Sequence, residues 1–125
     1  MLCRTLLLDD EPHVLAALRR ELLRKPDIGH DGLEIEAFTS PRLALARAAT
    51  PDGYFDLAIV DYHMPEMDGI RFLAEHRKLL PDAVRILLTG DTDCEAAIAA
   101  INTAGVDCVV LKPWNEYDLK GRFAL

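Results

Sequence analysis

The sequence predicts an α/β fold, a three-layer open sandwich with a five-stranded parallel sheet and five helices. Short apolar runs alternate with amphipathic stretches along all 125 residues. The apolar runs lack polar alternation, as strands covered on both faces do. The stretches between them are long enough for the right-handed helical crossovers that parallel strands require.

The elements follow in chain order. Thr5–Leu8 reads as a buried strand. Pro12 suits a first helical turn, where its missing N–H has no intrahelical partner to lose. Val14, Leu15, Leu18 and Leu22 then fall on one helix face. Pro26–Gly32 is a turn-rich connection, and Leu33–Phe38 is the second strand. Ser40 followed by Pro41 starts a helix that Leu43–Ala48 continues. Pro51–Gly53 breaks the chain, and Phe55–Val60 is the third strand, ending at Asp61. Ile70, Leu73, Ala74 and Leu80 mark a helix stopped near Pro81, and Val84–Leu88 is the fourth strand. Ala96, Ala97, Ala99, Ala100 and Ile101 belong to a helix closed near Gly105. Cys108–Leu111 is the last strand, and Asn115–Ala124 the last helix.

Length and composition bound the function. A chain of 125 residues with 28% charged and 6% aromatic residues is one globular domain, 1–125. Its 14 basic and 21 acidic residues give a formal charge of −7, which argues against a nucleic-acid face on this domain. Cys3, Cys94 and Cys108 form no Cys-x-x-Cys pair and read as ordinary thiols in a reducing compartment. Asp9, Asp10 and Glu11 interrupt the first apolar run, and no run approaches the roughly 20 apolar residues of a membrane span. A cytoplasmic location is the expectation.

Chemistry concentrates at strand ends. In a parallel sheet, Asp9 and Asp10 after the first strand and Asp61 after the third share one rim, the place where ligands of such folds gather. Carboxylates in one pocket repel unless a cation joins them, and Mg2+ seeks oxygen ligands. On these residues alone, helix capping by Asp9 or Asp10 beside an ordinary surface Asp61 stands equally. Thr89 ends the fourth strand and Lys112 the fifth, at the same rim. A hydroxyl and an ammonium beside carboxylates suit a phosphoryl group carried on an Asp. Asp61 is then the nucleophile, Asp9, Asp10 and Asp61 hold the metal, and the His63 backbone carbonyl is a further ligand.

Four segments carry a resemblance: Leu-Leu-Leu-Asp-Asp-Glu-Pro at 6–12, Asp-Tyr-His-Met-Pro-Glu-Met-Asp-Gly at 61–69, Leu-Leu-Thr-Gly at 87–90 and Lys-Pro-Trp at 112–114. In this order and spacing the chain resembles the receiver domain of a two-component response regulator over essentially its whole length. The resemblance implies a flavodoxin-like fold with strand order 2-1-3-4-5. It implies transfer of a phosphoryl group from a sensor histidine kinase to Asp61, with Mg2+ as cofactor and Mn2+ able to substitute. It makes Asp9 and Asp10 the acidic metal pocket, Thr89 the switch hydroxyl and Lys112 the phosphate contact. It also implies a domain that is no enzyme beyond its own phosphorylation and dephosphorylation, placed N-terminally in a longer regulator with an output domain. A homodimer through the face of the fourth helix, fifth strand and fifth helix is expected, without membrane contact. The Leu-Leu-Thr-Gly and Lys-Pro-Trp variants resemble receivers of hydrogenase-related or cyclic-dinucleotide-hydrolysing regulators, and Lys112–Pro113 resembles the family's frequent cis peptide.

The chain departs from the family at Val109, where many receivers carry Tyr or Phe. Valine has no ring to rotate, which leaves a switch through loop movement alone or a fold-retaining binding module; a stand-alone phosphotransfer adaptor with the same pocket is a further alternative. His63 and Asp91 flank the expected phosphoryl site, and Trp114 reads as an anchor for the last helix.

Overall fold

The structure is a computed structural model that describes residues 3–23, 32–90 and 104–111. Five strands and three helices run in the order β1 (Cys3–Leu8), α1 (Pro12–Leu23), β2 (Leu33–Phe38), α2 (Pro41–Ala48), β3 (Leu57–Asp61), α3 (Gly69–Leu79), β4 (Val84–Thr89) and β5 (Cys108–Leu111). The strands form one sheet in the order β2-β1-β3-β4-β5, and every pairing is parallel.

Residue parity along the strands builds two apolar layers. Leu6 and Leu8 of β1, Ala58 and Val60 of β3 and Leu87 of β4 face Ala44 of α2 and Phe72 and Leu73 of α3. Leu7, Ile59, Ile86, Leu88 and Val110 face the other way, onto Leu15, Leu18 and Leu22 of α1. Because successive strand side chains point to opposite faces, an unbroken apolar run is what a doubly covered sheet needs. The chain passes outward from β1 to β2 and then back across to β3. With right-handed crossovers this reversal puts α1 on one face and α2 and α3 on the other. The reversal leaves a crevice at the carboxyl ends of β1 and β3.

The helix starts are local chemistry. Pro41 opens α2, and the Ser40 side chain accepts from the Leu43 N–H at 3.4 Å. The Asp68 carboxylate accepts from the Arg71 N–H at 2.8 Å and caps α3. Both leave fewer donors of the first turn unpaired.

The expected five helices are corrected: the described residues contain three. That expectation assigned a helix to follow every strand. The three helices found begin with Pro12, Pro41 or the Asp68 cap, whereas the expected segments Ala96–Ile101 and Asn115–Ala124 lie outside the described residues. β3 also starts later than expected, at Leu57. Phe55 is buried core all the same, and Asp56 between them turns its carboxylate back to the backbone of β1. Cys3 and Cys108 are half-buried thiols, and Cys94 lies outside the described residues. Among the described residues no helix is long and apolar enough to cross a membrane.

Candidate functional site

The site sits where β1, β3 and β4 end. Asp9 follows the last residue of β1, and its N–H donates to the Phe38 carbonyl at 3.2 Å, which ties this rim position to β2. Its side chain is fully buried and accepts from the Glu11 N–H at 2.9 Å. Asp9 therefore also shapes the turn into α1, the local role that its position before Pro12 suggested. Asp10 reaches solvent. Asp61 is the last residue of β3 and is 5% exposed.

The three carboxylates converge. One oxygen from each of Asp9, Asp10 and Asp61 lies within 4.8 Å of the other two. Three anionic groups at that range, two of them buried, repel one another and favour a cation. An all-carboxylate oxygen donor set fits a hard divalent ion better than a soft one. The sequence expectation of an acidic pocket is thus met in the geometry.

Thr89 ends β4 beside this pocket, pairing with Leu111, and is 1% exposed. Its hydroxyl donates to the Gly90 carbonyl at 3.3 Å. β5 ends at Leu111, and Lys112, the next residue, lies outside the described residues with Asp91, Pro113 and Trp114. Val109 is half-buried, pairs with Leu87 and packs on the apolar layer that holds Phe72.

The loop after Asp61 is held at several points. The Tyr62 N–H donates to the Leu88 carbonyl at 2.9 Å, and the Gly69 N–H donates to the Tyr62 carbonyl at 2.8 Å. Met64 is buried in the core, and His63 is exposed with its ring stacked on Tyr62, centroids 4.7 Å apart. The Ser40 hydroxyl donates to Glu66 at 2.9 Å, a link that no sequence signal announced. Gly69 is required by close approach: a Cβ there would lie 2.3 Å from the Asp61 carbonyl oxygen.

Comparisons with known proteins agree with this geometry. The family described as response regulator receiver domain matches residues 5–124. Among curated relatives, the hydrogenase transcriptional regulatory protein HoxA of Cupriavidus necator is 36% identical over 109 residues, 87% of this chain and 21% of its own length. The transcriptional regulatory protein FlgR of Helicobacter pylori is 40% identical over 84 residues, 67% of this chain and 20% of its own. The chain thus spans about a fifth of the length of these relatives. Among solved structures, a response regulator receiver domain protein of Clostridium thermocellum superposes with a TM-score of 0.83 at 26% identity, covering 97% of this chain and 90% of that one. A CheY-like receiver domain protein of Methanospirillum hungatei gives 0.82 at 28%, covering 98% and 90%. With an acidic pocket at the switch point of a 2-1-3-4-5 sheet and a family match over nearly its whole length, the chain belongs to the response regulator receiver domains.

Proposed function

We propose that this domain is a phosphorylation-controlled switch that takes a phosphoryl group from a sensor histidine kinase onto Asp61. As a receiver domain it is a signalling module of two-component phosphorelays rather than an enzyme. The observation that carries the reading is the convergence of Asp9, Asp10 and Asp61 within 4.8 Å, with Thr89 ending the adjacent strand.

In the proposed transfer an Asp61 carboxylate oxygen attacks the phosphorus of a phosphohistidine in line. A phosphorus–oxygen bond forms, the phosphorus–nitrogen bond breaks, and the imidazole leaves with that electron pair. Mg2+, or Mn2+ in its place, supplies charge neutralisation at the phosphoryl oxygens. Asp9, Asp10, Asp61 and the His63 backbone carbonyl are the groups to hold it. The Thr89 hydroxyl donates to one phosphoryl oxygen and the Lys112 ammonium pairs with another. Water attack on the acyl phosphate resets Asp61, and His63, which is exposed, and Asp91 are the residues proposed to tune it.

The partners proposed for this cytoplasmic domain are a sensor histidine kinase, an output domain in a longer chain, and a second copy docking on the β5 side of the sheet. Direct nucleic-acid contact is left to the output domain, given the charge of −7. The matched regulators include HoxA, FlgR and AtoC, so support for a hydrogenase output is no stronger than for several others, and the cyclic-dinucleotide alternative has no support among them. Val109 favours one second reading, a fold-retaining binding module with weak or atypical phospho-switching.

Incubation with a small phosphodonor and Mg2+ is expected to add one phosphoryl group to the wild type and none to Asp61→Asn, read by intact-protein mass. Equal labelling of the two would remove Asp61 as acceptor.

A further inference from the structure

The rim opposite the acidic pocket carries a motif that occurs twice. Asp56, just before β3, donates its N–H to the Arg4 carbonyl at 2.8 Å and accepts from the Arg4 N–H on its carboxylate at 2.9 Å. Asp107, just before β5, donates its N–H to the Arg85 carbonyl at 2.8 Å and accepts from the Arg85 N–H at 2.8 Å. In each case the next residues pair in the sheet, Thr5 with Leu57 and Ile86 with Cys108. Each Asp therefore closes a two-bond ring that fixes which residue of the neighbouring strand it meets.

Register needs such fixing here. A one-residue slip moves every side chain of a strand to the opposite face, and the apolar pattern normally forbids it. β5 is Cys-Val-Val-Leu, so a slip replaces valine with valine and the core discriminates weakly. The entry to β5 is braced further by the buried Arg85 guanidinium, which donates to the carbonyls of Gly105 at 2.9 Å, Leu80 at 3.0 Å and Pro81 at 3.1 Å. On the other strand pair, the Asp56 carbonyl also accepts from the Val84 N–H at 2.9 Å, tying β3 to β4.

We propose that Asp56 and Asp107 are positioning residues for the phosphoryl chemistry, acting through strand register from the far end of the sheet. Asp56 aligns Asp61 with Asp9 and Asp10. Asp107 aligns the end of β5 with Thr89 and so governs where the chain delivers Lys112. The proposal rests on the receiver reading above.

Two independent readouts separate the roles. Mg2+ affinity, by titration calorimetry, reports the β1–β3 alignment, and the rate with a small phosphodonor reports both alignments. Asp56→Ala is expected to weaken Mg2+ binding about 3–10-fold, the cost of a sub-ångström misplacement. Asp107→Ala should leave Mg2+ affinity within about twofold yet slow phosphorylation by about 3–10-fold. Asp56→Asn and Asp107→Asn keep an oxygen that accepts the backbone N–H, and each should restore most of the loss. If an alanine variant does not fold, the glutamate variant at that position, which displaces the acceptor by one methylene, takes its place. Wild-type values in both alanine variants, or asparagine variants as impaired as alanine ones, would overturn the proposal. A wild type that takes no phosphoryl group overturns the receiver reading instead, and the Mg2+ affinity of Asp56→Ala then decides the register claim by itself.

Discussion

At the scale of single residues, His76 is the most expensive side chain in the described core. It lies on the inward face of α3 beside Phe72 and Leu73 and is fully buried. Neither ring nitrogen has a hydrogen-bond partner among the described residues, although the Phe72 ring lies 5.7 Å away. Burial first, and the nearby Arg85 charge second, push its pKa from 6.5 down to about 4. The folded state thus binds this proton less readily than the unfolded chain. The associated stability is fully present above about pH 6.5 and is lost as pH falls toward 4. A fall from 6.5 to about 4 corresponds to about 3.5 kcal/mol, at about 1.4 kcal/mol per pKa unit. His76→Leu should flatten the fall in urea stability between pH 7 and pH 4.5 by about 2–3 kcal/mol. An unchanged pH dependence would mean that His76 is not the group responsible. At pH 7 the same substitution also removes two unsatisfied nitrogens, so the variant should be no less stable than wild type.

At the scale of elements, the helix after the acceptor strand and the strand itself cannot be separated. α3 begins with Gly69 pressed against the Asp61 backbone. Gly69→Ala must move either the helix or the acceptor, and overpacking of this kind costs about 1–3 kcal/mol. Thermal unfolding should show that loss, together with slower phosphorylation of Asp61; a stable variant with normal labelling would mean that the contact relaxes freely.

β1, β3 and β4 were legible in the sequence because each apolar run ends at a polar residue with a reason to be there: Asp9, Asp61 and Thr89. α2 was legible from Ser40-Pro41, since caps are local chemistry, and α3 from the spacing of Ile70, Leu73 and Ala74. The acidic pocket followed once a parallel sheet placed Asp9, Asp10 and Asp61 on one rim. The register contacts were not read, although a signal existed: Asp stands immediately before Leu57 and before Cys108, twice opening a buried run. The burial of His76 had a signal too, its spacing of three and four residues from Leu73 and Phe72. The helix count differs because the described residues hold three helices, while the segments expected to form the other two, Ala96–Ile101 and Asn115–Ala124, lie outside them.

At the scale of the whole molecule, the charge of −7 is uneven in its effect. Salt bridges join Arg4 and Arg47 to Glu36, and Arg47 to Asp52, so these acids are locally balanced. The Asp9–Asp10–Asp61 group concentrates negative charge at one spot, with Asp9 and Asp61 buried. A cation that binds it only in the folded state raises stability by RT ln(1 + [L]/Kd), about 2.7 kcal/mol at a hundredfold excess over Kd. Adding Mg2+ should therefore raise the unfolding temperature of the wild type by several degrees and that of Asp10→Asn by much less. Equal shifts in the two would show that the ion acts elsewhere.

The two rims of the sheet also have a consequence for how such a domain can change over time. β3 is five residues long, so its acidic end lies roughly 16 Å from the contacts at its start. Substitutions around the reactive end can retune speed and selectivity while the strands stay in step. Drift at the aligning end, by contrast, is felt at the reactive end without touching it. A library varied over the whole chain should accordingly divide in two, with tolerant variation in the loops that frame the pocket and a narrow choice of residues at 56 and 107.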